Sequence, residues 1–172
     1  PCMKFFNQSP EEMGEFAEFI EEDIENVQRV IGEVMQEDLD VEFMVHAQAE
    51  TVAESAENTD VEEEEIVKTL VFIADEPVAV LCPGDTSVSE EKLEELVDGE
   101  PRMANPSEVR EATGYYVGGV SPFDLEIRVL MEESLLQQEE VKPAAGSRVV
   151  GVRIDPEDLK EVSGAETADV SR

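Results

Sequence analysis

The chain has one histidine, no tryptophan, two cysteines and five lysines among its 172 residues. A single histidine, His46, standing in an Ala/Gln-rich stretch, excludes a multi-histidine metal centre and offers no Ser/His/Asp constellation. Cys2 and Cys82 are far apart and follow no CxxC spacing, so they indicate neither a disulfide framework nor a thiolate metal site. There is no Walker loop and no GxGxxG run. No apolar stretch approaches the ~20 residues of a bilayer-spanning helix, and the expectation is an intracellular, cytoplasmic protein with no membrane segment. No cofactor and no metal are expected either.

Positive charge is the scarcest commodity. Acidic residues number 44 against 12 basic ones, a net charge of −32. The acids run through every segment, as in 62–65, 90–95 and 132–140, interleaved with apolar positions. A hydrophobic content of 41% is enough for a packed core, so this is an acid-coated globular chain, not a disordered one. Such a surface suits molar salt, where the Debye length falls to ~3 Å and self-repulsion is screened. A halophilic origin is the expectation. A mimic of nucleic acid would gather its charge on one face, and no such gathering is visible.

The strongest β-forming stretch is residues 65–74, apolar at nearly every position, which reads as a strand covered on both faces. Lys68 interrupts it. A charged amine there either snorkels past the strand end with its stem packed on apolar neighbours, or reaches a cavity where its charge is used. Before this strand, Ser9-Pro10-Glu11-Glu12 starts a helix over 10–37, with a stripe of Phe16, Phe19, Ile20, Ile24, Val27, Ile31 and Val34–Met35. That stripe docks on the domain or, in a weaker reading, pairs two copies. A short strand over 41–46 and a brief helix over 52–57 capped by Thr51 come next. After it, a turn at 75–77 leads to a second strand, 78–82, closing a hairpin. Ser89 caps a helix ending at Val97, 101–104 is extended, and Asn105-Pro106-Ser107 opens a helix ended by Gly114. Residues 125–131 and 148–154 alternate as strands, 139–141 is a further candidate, and Asp155-Pro156-Glu157 opens a last helix. The class is α+β, with a mixed, curved, barrel-like sheet surrounded by helices in a single domain over 1–172.

The other candidate for chemistry is Gly118-Gly119-Val120-Ser121-Pro122. Adjacent glycines allow positive φ and close approach of a ligand to the main chain, and successive N–H groups can then face one oxygen. A tight structural turn would use the same residues.

Read together, Val67-Lys68-Thr69-Leu70, then Thr113-Gly114-Tyr115-Tyr116-Val117-Gly118-Gly119-Val120-Ser121-Pro122-Phe123, then Ala145-Gly146 and Pro156-Glu157-Asp158-Leu159, resemble the YbaK/ProX family. These are free-standing relatives of the editing domain of bacterial prolyl-tRNA synthetase. The resemblance covers roughly 40–170, and the run from Thr113 to Pro122 is its specific part. It implies trans-editing: hydrolysis of the ester that joins a wrong amino acid to the 3′-terminal adenosine of a tRNA. Lys68, Gly118 and Gly119 become the implied catalytic positions. Thr69, Val120, Ser121, Pro122, Gly146, His46 and Thr51 become the implied substrate-binding ones. The implied partner is the aminoacyl-tRNA 3′ end, with prolyl-tRNA synthetase as a second, and neither DNA nor a membrane. A non-catalytic module that keeps the pocket for a small ligand or protein is the alternative. The chain departs from the cysteinyl-clearing branch at Ala144-Ala145-Gly146, at Gly151 and at Glu132, which leaves the edited amino acid open among alanine, serine and other small residues. Arg102, Arg110, Arg128 and Arg148 are the cations available to line a pocket mouth.

Overall fold

The computed structural model describes residues 10–45 and 62–172, apart from the side chains of residues 10–20 and 22. Cys2, the Ser9 cap, His46, Thr51 and the helix expected over 52–57 lie outside the described residues. The elements run α1 (Pro10–Gln36), β1 (Glu42–Val45), β2 (Ile66–Ile73), β3 (Pro77–Pro83), α2 (Glu90–Leu96), β4 (Arg102–Met103), α3 (Pro106–Thr113), β5 (Arg128–Glu132), a 3₁₀ turn (Glu133–Gln137), β6 (Lys142–Ser147), β7 (Val150–Arg153), α4 (Pro156–Ser163) and β8 (Glu166–Ala168).

The eight strands form one mixed sheet in the order β1-β7-β6-β2-β3-β5-β8, with β4 added alongside β2. It is curved but open, ending at β1 and β8, so the barrel-like expectation stops short of closure. β2 and β3 pair antiparallel from Val67↔Pro83 to Ile73↔Pro77, the hairpin expected from the turn at 75–77. β3 pairs parallel with β5, and β5 with β8, through crossovers that carry the helices.

β2 is covered on both faces, as its nearly continuous apolar run requires. Val67 joins one core with Ala79, Leu81, Val129 and Met131. Phe72 joins another with Val78, Val80, Cys82 and Leu130. The alternation of side chains along paired strands sorts them so.

Helix starts follow the capping chemistry of the sequence. Ser89 accepts from the Lys92 N–H, Asn105 and Glu108 form a capping box around Pro106, and Asp155 accepts from the N–H groups of Glu157 and Asp158. In α1 the buried face is Asp23, Asn26, Val27, Val30 and Val34. Ile24 and Met35 of the expected stripe are about half exposed, at 47% and 55%. The helix is turned this way because β6 approaches it very closely. A Cβ on Gly146 would lie 2.7 Å from the Asn26 carbonyl carbon, so only a glycine and a small polar helix face fit there.

Several strands differ from expectation, and the strand expected over 148–154 is shortened to Val150–Arg153. The strand near 139–141 is instead β6, with Val141 contributing only a bridge to Ile154. The strand expected over 125–131 begins only at Arg128. The short β8 had no apolar alternation to announce it.

Candidate active site

One edge of β2 has a gap. Ile66 and Val67 pair with β6, Phe72 and Ile73 pair with β4, and the Ala104 N–H reaches the Val71 carbonyl at 2.9 Å. Between them, among the described residues, Lys68, Thr69 and Leu70 have no strand beside them on that edge. A cleft of about 540 Å³ opens there, walled by β2, the β6–β7 hairpin, the start of α3 and the glycine loop. Lys68, Thr69, Gly118 and Val120 all line it. The lysine and the glycine loop, 50 positions apart in sequence, therefore share one hollow.

The loop is held at both ends. Tyr115, fully buried, donates its hydroxyl to the Phe123 carbonyl at 2.6 Å, which closes the segment on itself. Burial pushes that phenol up to about 12, so it stays a donor. Arg29 of α1 stacks over the Tyr115 ring at 4.3 Å, and donates to the Thr113 carbonyl (3.1 Å), the Asp124 carbonyl (2.8 Å) and the Asp124 carboxylate (3.0 Å). Within the loop, Gly118 takes φ +97°, and a Cβ there would meet the Arg148 side chain at 2.6 Å. Gly119 presses on the β6–β7 turn, where a Cβ would stand 2.9 Å from the Ser147 nitrogen. Its N–H is already given to the Tyr116 carbonyl at 2.9 Å. The Arg148 guanidinium lies over the loop and donates to the Val117 carbonyl at 3.3 Å.

Lys68 lines the cleft, and its ammonium donates to the Thr86 carbonyl on the turn after β3. Thr69 presents a hydroxyl oxygen that is buried and has no hydrogen-bond partner among the described residues, an arrangement that costs free energy unless something else supplies the bond. Gly119, Ser121 and Pro122 are buried behind the lining, and Gly146 packs on α1. Of the four arginines proposed for the mouth, Arg148 lines the cleft. Arg102 pairs with Glu108, Arg128 with Glu166, and Arg110 lies over the Tyr116 ring and donates to the Gly114 carbonyl.

Sequence reasoning overlooked Lys142. It lines the cleft from β6 and is 4% exposed. Burial, reinforced by the nearby Arg153 guanidinium, lowers its amine to about 7. A lysine beside Pro143, after two glutamates, looks like ordinary solvated edge, and only the pairing of β6 with β2 and β7 turns it inward.

The charge of the lining is the inverse of the chain's. Of 19 described lining residues, none is acidic and three, Lys68, Lys142 and Arg148, are basic. In a chain of net charge −32, the described carboxylates thus stand away from one largely apolar, cation-lined hollow. No group of three or more His, Cys, Asp or Glu among the described residues is placed to hold a metal ion. No helix there is long and apolar enough to cross a membrane.

Comparison with known proteins bears on this arrangement. The model of the aminoacyl-tRNA editing domain matches residues 46–162. YwhH of Bacillus subtilis, an uncharacterised protein, is 34% identical over 117 residues, 66% of this chain and 74% of its own. A proline–tRNA ligase of Maridesulfovibrio salexigens is 43% identical over 91 residues, 51% of this chain but 16% of the ligase. Among solved structures, a protein proposed as a trans-editing enzyme for prolyl tRNA synthetase superposes with a TM-score of 0.77 at 32% identity, covering 86% of this chain and 97% of that one. The hypothetical protein APE2540 superposes with a TM-score of 0.79 at 34% identity, covering 84% and 99%.

Proposed function

The chain belongs to the aminoacyl-tRNA editing domain family, and from that premise we propose that it hydrolyses the ester joining a misattached amino acid to the 3′-terminal adenosine of a tRNA. The observation that carries the proposal is the cation-lined cleft, free of acids among the described residues, that Lys68 and the glycine loop share. An aminoacyl ester is already activated, so polarising its carbonyl and positioning a water are sufficient without a nucleophilic side chain. Water adds to the acyl carbon, the acyl–oxygen bond breaks, and the departing ribose oxygen takes the proton.

The Gly119 N–H is spent inside the turn, which leaves the N–H groups of Gly118 and Val120 as the donors for the carbonyl oxygen. Lys68, anchored on the Thr86 carbonyl, adds positive charge beside the developing oxyanion. The buried Thr69 hydroxyl bonds a polar group of the substrate. Arg148 at the mouth meets the terminal phosphate, and a ribose hydroxyl of the tRNA itself helps activate the water. Contacts of this kind read a single-stranded 3′ end at short range, where a −32 chain has no long-range attraction to offer. Prolyl-tRNA synthetase is the natural partner to supply the mischarged tRNA.

The test is a panel of misacylated tRNAs incubated with the purified protein, with release of free amino acid as the readout. Hydrolysis of at least one member, reduced ~10²-fold or more in kcat/KM by Lys68→Ala, is expected. Failure to release any amino acid across the panel would replace the enzyme with a binding module that uses the same pocket.

A further inference from the structure

Exposed apolar surface among the described residues gathers at the cleft. Of the five large apolar side chains left exposed, Met103 and Val117 line it, and Tyr116, 46% exposed, directly precedes Val117. The position of Tyr116 is built. Its carbonyl accepts the Gly119 N–H at 2.9 Å, which folds residues 116–119 into the turn that carries Val117 and Gly118 to the lining. The Arg110 guanidinium lies 4.4 Å from the ring centroid and donates to the Gly114 carbonyl, so it is fixed at the end of α3 against one side of the ring. Arg29, Arg102 and Arg128 each pair with a carboxylate. Arg110 and Arg148 instead bond main-chain carbonyls of this loop and have no carboxylate partner among the described residues.

We infer that Tyr116 is a base-stacking platform for the nucleotide that precedes the terminal adenosine of the tRNA. The inference rests on the editing reading above, in which the ester lies at Gly118 and Val120 and Arg148 meets the terminal phosphate. Arg148 packs over Gly118 and bonds the Val117 carbonyl, so a strand leaving the cleft past that arginine meets Tyr116 next. The two adjacent tyrosines divide the work. Tyr115 is fully buried and braces the loop, while Tyr116 stays outside the core. A ring held on one side by a guanidinium, with nearly half its surface in water, offers that surface to a second planar group. Base–aromatic stacking accepts any base and acts at contact range without charge. That suits a chain of net charge −32, which must hold a polyanion without long-range attraction.

The test titrates the protein with cytidylyl-(3′→5′)-adenosine, the last two nucleotides of the common tRNA 3′ end, and with the same dinucleotide carrying an abasic ribose in place of cytidine. Binding is followed by NMR of ring-labelled tyrosine. The chain has two tyrosines, so Tyr115 and Tyr116 are read separately. The base-bearing dinucleotide is expected to bind at least ~10-fold more tightly and to shift the Tyr116 ring signals upfield, with little change at Tyr115. Tyr116→Ala should abolish the advantage, and Tyr116→Phe should keep it. Equal wild-type affinities (the result for a rim that meets a protein instead), no binding of either dinucleotide, or an advantage that survives in Tyr116→Ala would each overturn the proposal. The wild-type comparison decides the question whatever the variants do to folding. Ester hydrolysis on the tRNA panel without a base advantage removes this inference and keeps the enzymatic reading; a base advantage without hydrolysis does the reverse.

Discussion

At the scale of single residues, two buried charges pull stability in opposite directions with pH. Glu132 is 3% exposed and accepts from the N–H groups of Ser134 (2.7 Å), Val170 (3.1 Å) and Ser171 (3.2 Å). Burial alone would raise its pKa, but these bonds outweigh burial and hold it at about 2. A depressed carboxylate stabilises the fold above its unfolded pKa of ~4.3 and loses that contribution as pH falls toward 2. Glu132→Gln should therefore cost roughly 2–3 kcal/mol at pH 7, read by urea denaturation, and much less near pH 2.5. Lys142 is the converse. With its amine lowered to about 7, below the unfolded value of ~10.4, the folded state disfavours the ammonium, fully so below pH 7 and not at all above ~10.4. Wild-type stability should rise with pH across that window.

At the scale of elements, the cleft exists because β2 changes partners along one edge, from β6 to β4, and leaves three residues uncovered. The glycine loop fills the opening only if it can lie against the β6–β7 turn. Gly119→Ala tests that seating, because its Cβ would meet the Ser147 backbone at 2.9 Å, which cannot swing away as a side chain would. A loss of about 1–3 kcal/mol is expected, together with a fall in ester hydrolysis as the loop lifts off the cleft. Gly164→Ala is the matched control: it has open space around it but φ +68°. It should cost about 1 kcal/mol and leave hydrolysis unchanged. Thermal melts and initial rates on the same two variants separate strain from function. If both variants lose activity in proportion to stability, the seating argument fails.

At the scale of the whole molecule, charge governs. Carboxylates cover the exterior and are absent from the described cleft lining, so salt should act differently on the two. Raising ionic strength from 0.1 to 1 M shortens the Debye length from ~10 to ~3 Å and relieves surface repulsion, so the melting temperature should rise. With three cations among the described residues of the cleft, tRNA binding should weaken with salt no more steeply than a log–log slope of about −2. Repulsion between tRNA and the acidic exterior, also screened, flattens the slope further. Kinetics with one misacylated tRNA across that range checks both parts. A slope steeper than −4 would point to a basic tRNA surface beyond the cleft.

The amino-acid order alone determined the helix starts, the β2–β3 hairpin and the loop from Thr113 to Pro122. Caps, prolines, apolar runs and paired glycines act over a few residues, and their effect is local. It also carried the pairing of Lys68 with Gly118, through a family resemblance and not through any local rule. What only the tertiary structure decided is which way charges face. Lys68 turns its amine to Thr86, Gly119 spends its N–H within the turn, and Lys142 is drawn from an apparent solvated edge into the cleft wall. The last of these depends on neighbours 9 and 76 positions away: Gly151, against which the Lys142 stem lies, and Ile66, the register partner of Lys142 on β2. Burial of a charge is a property of what packs around it, and no short stretch of sequence encodes that.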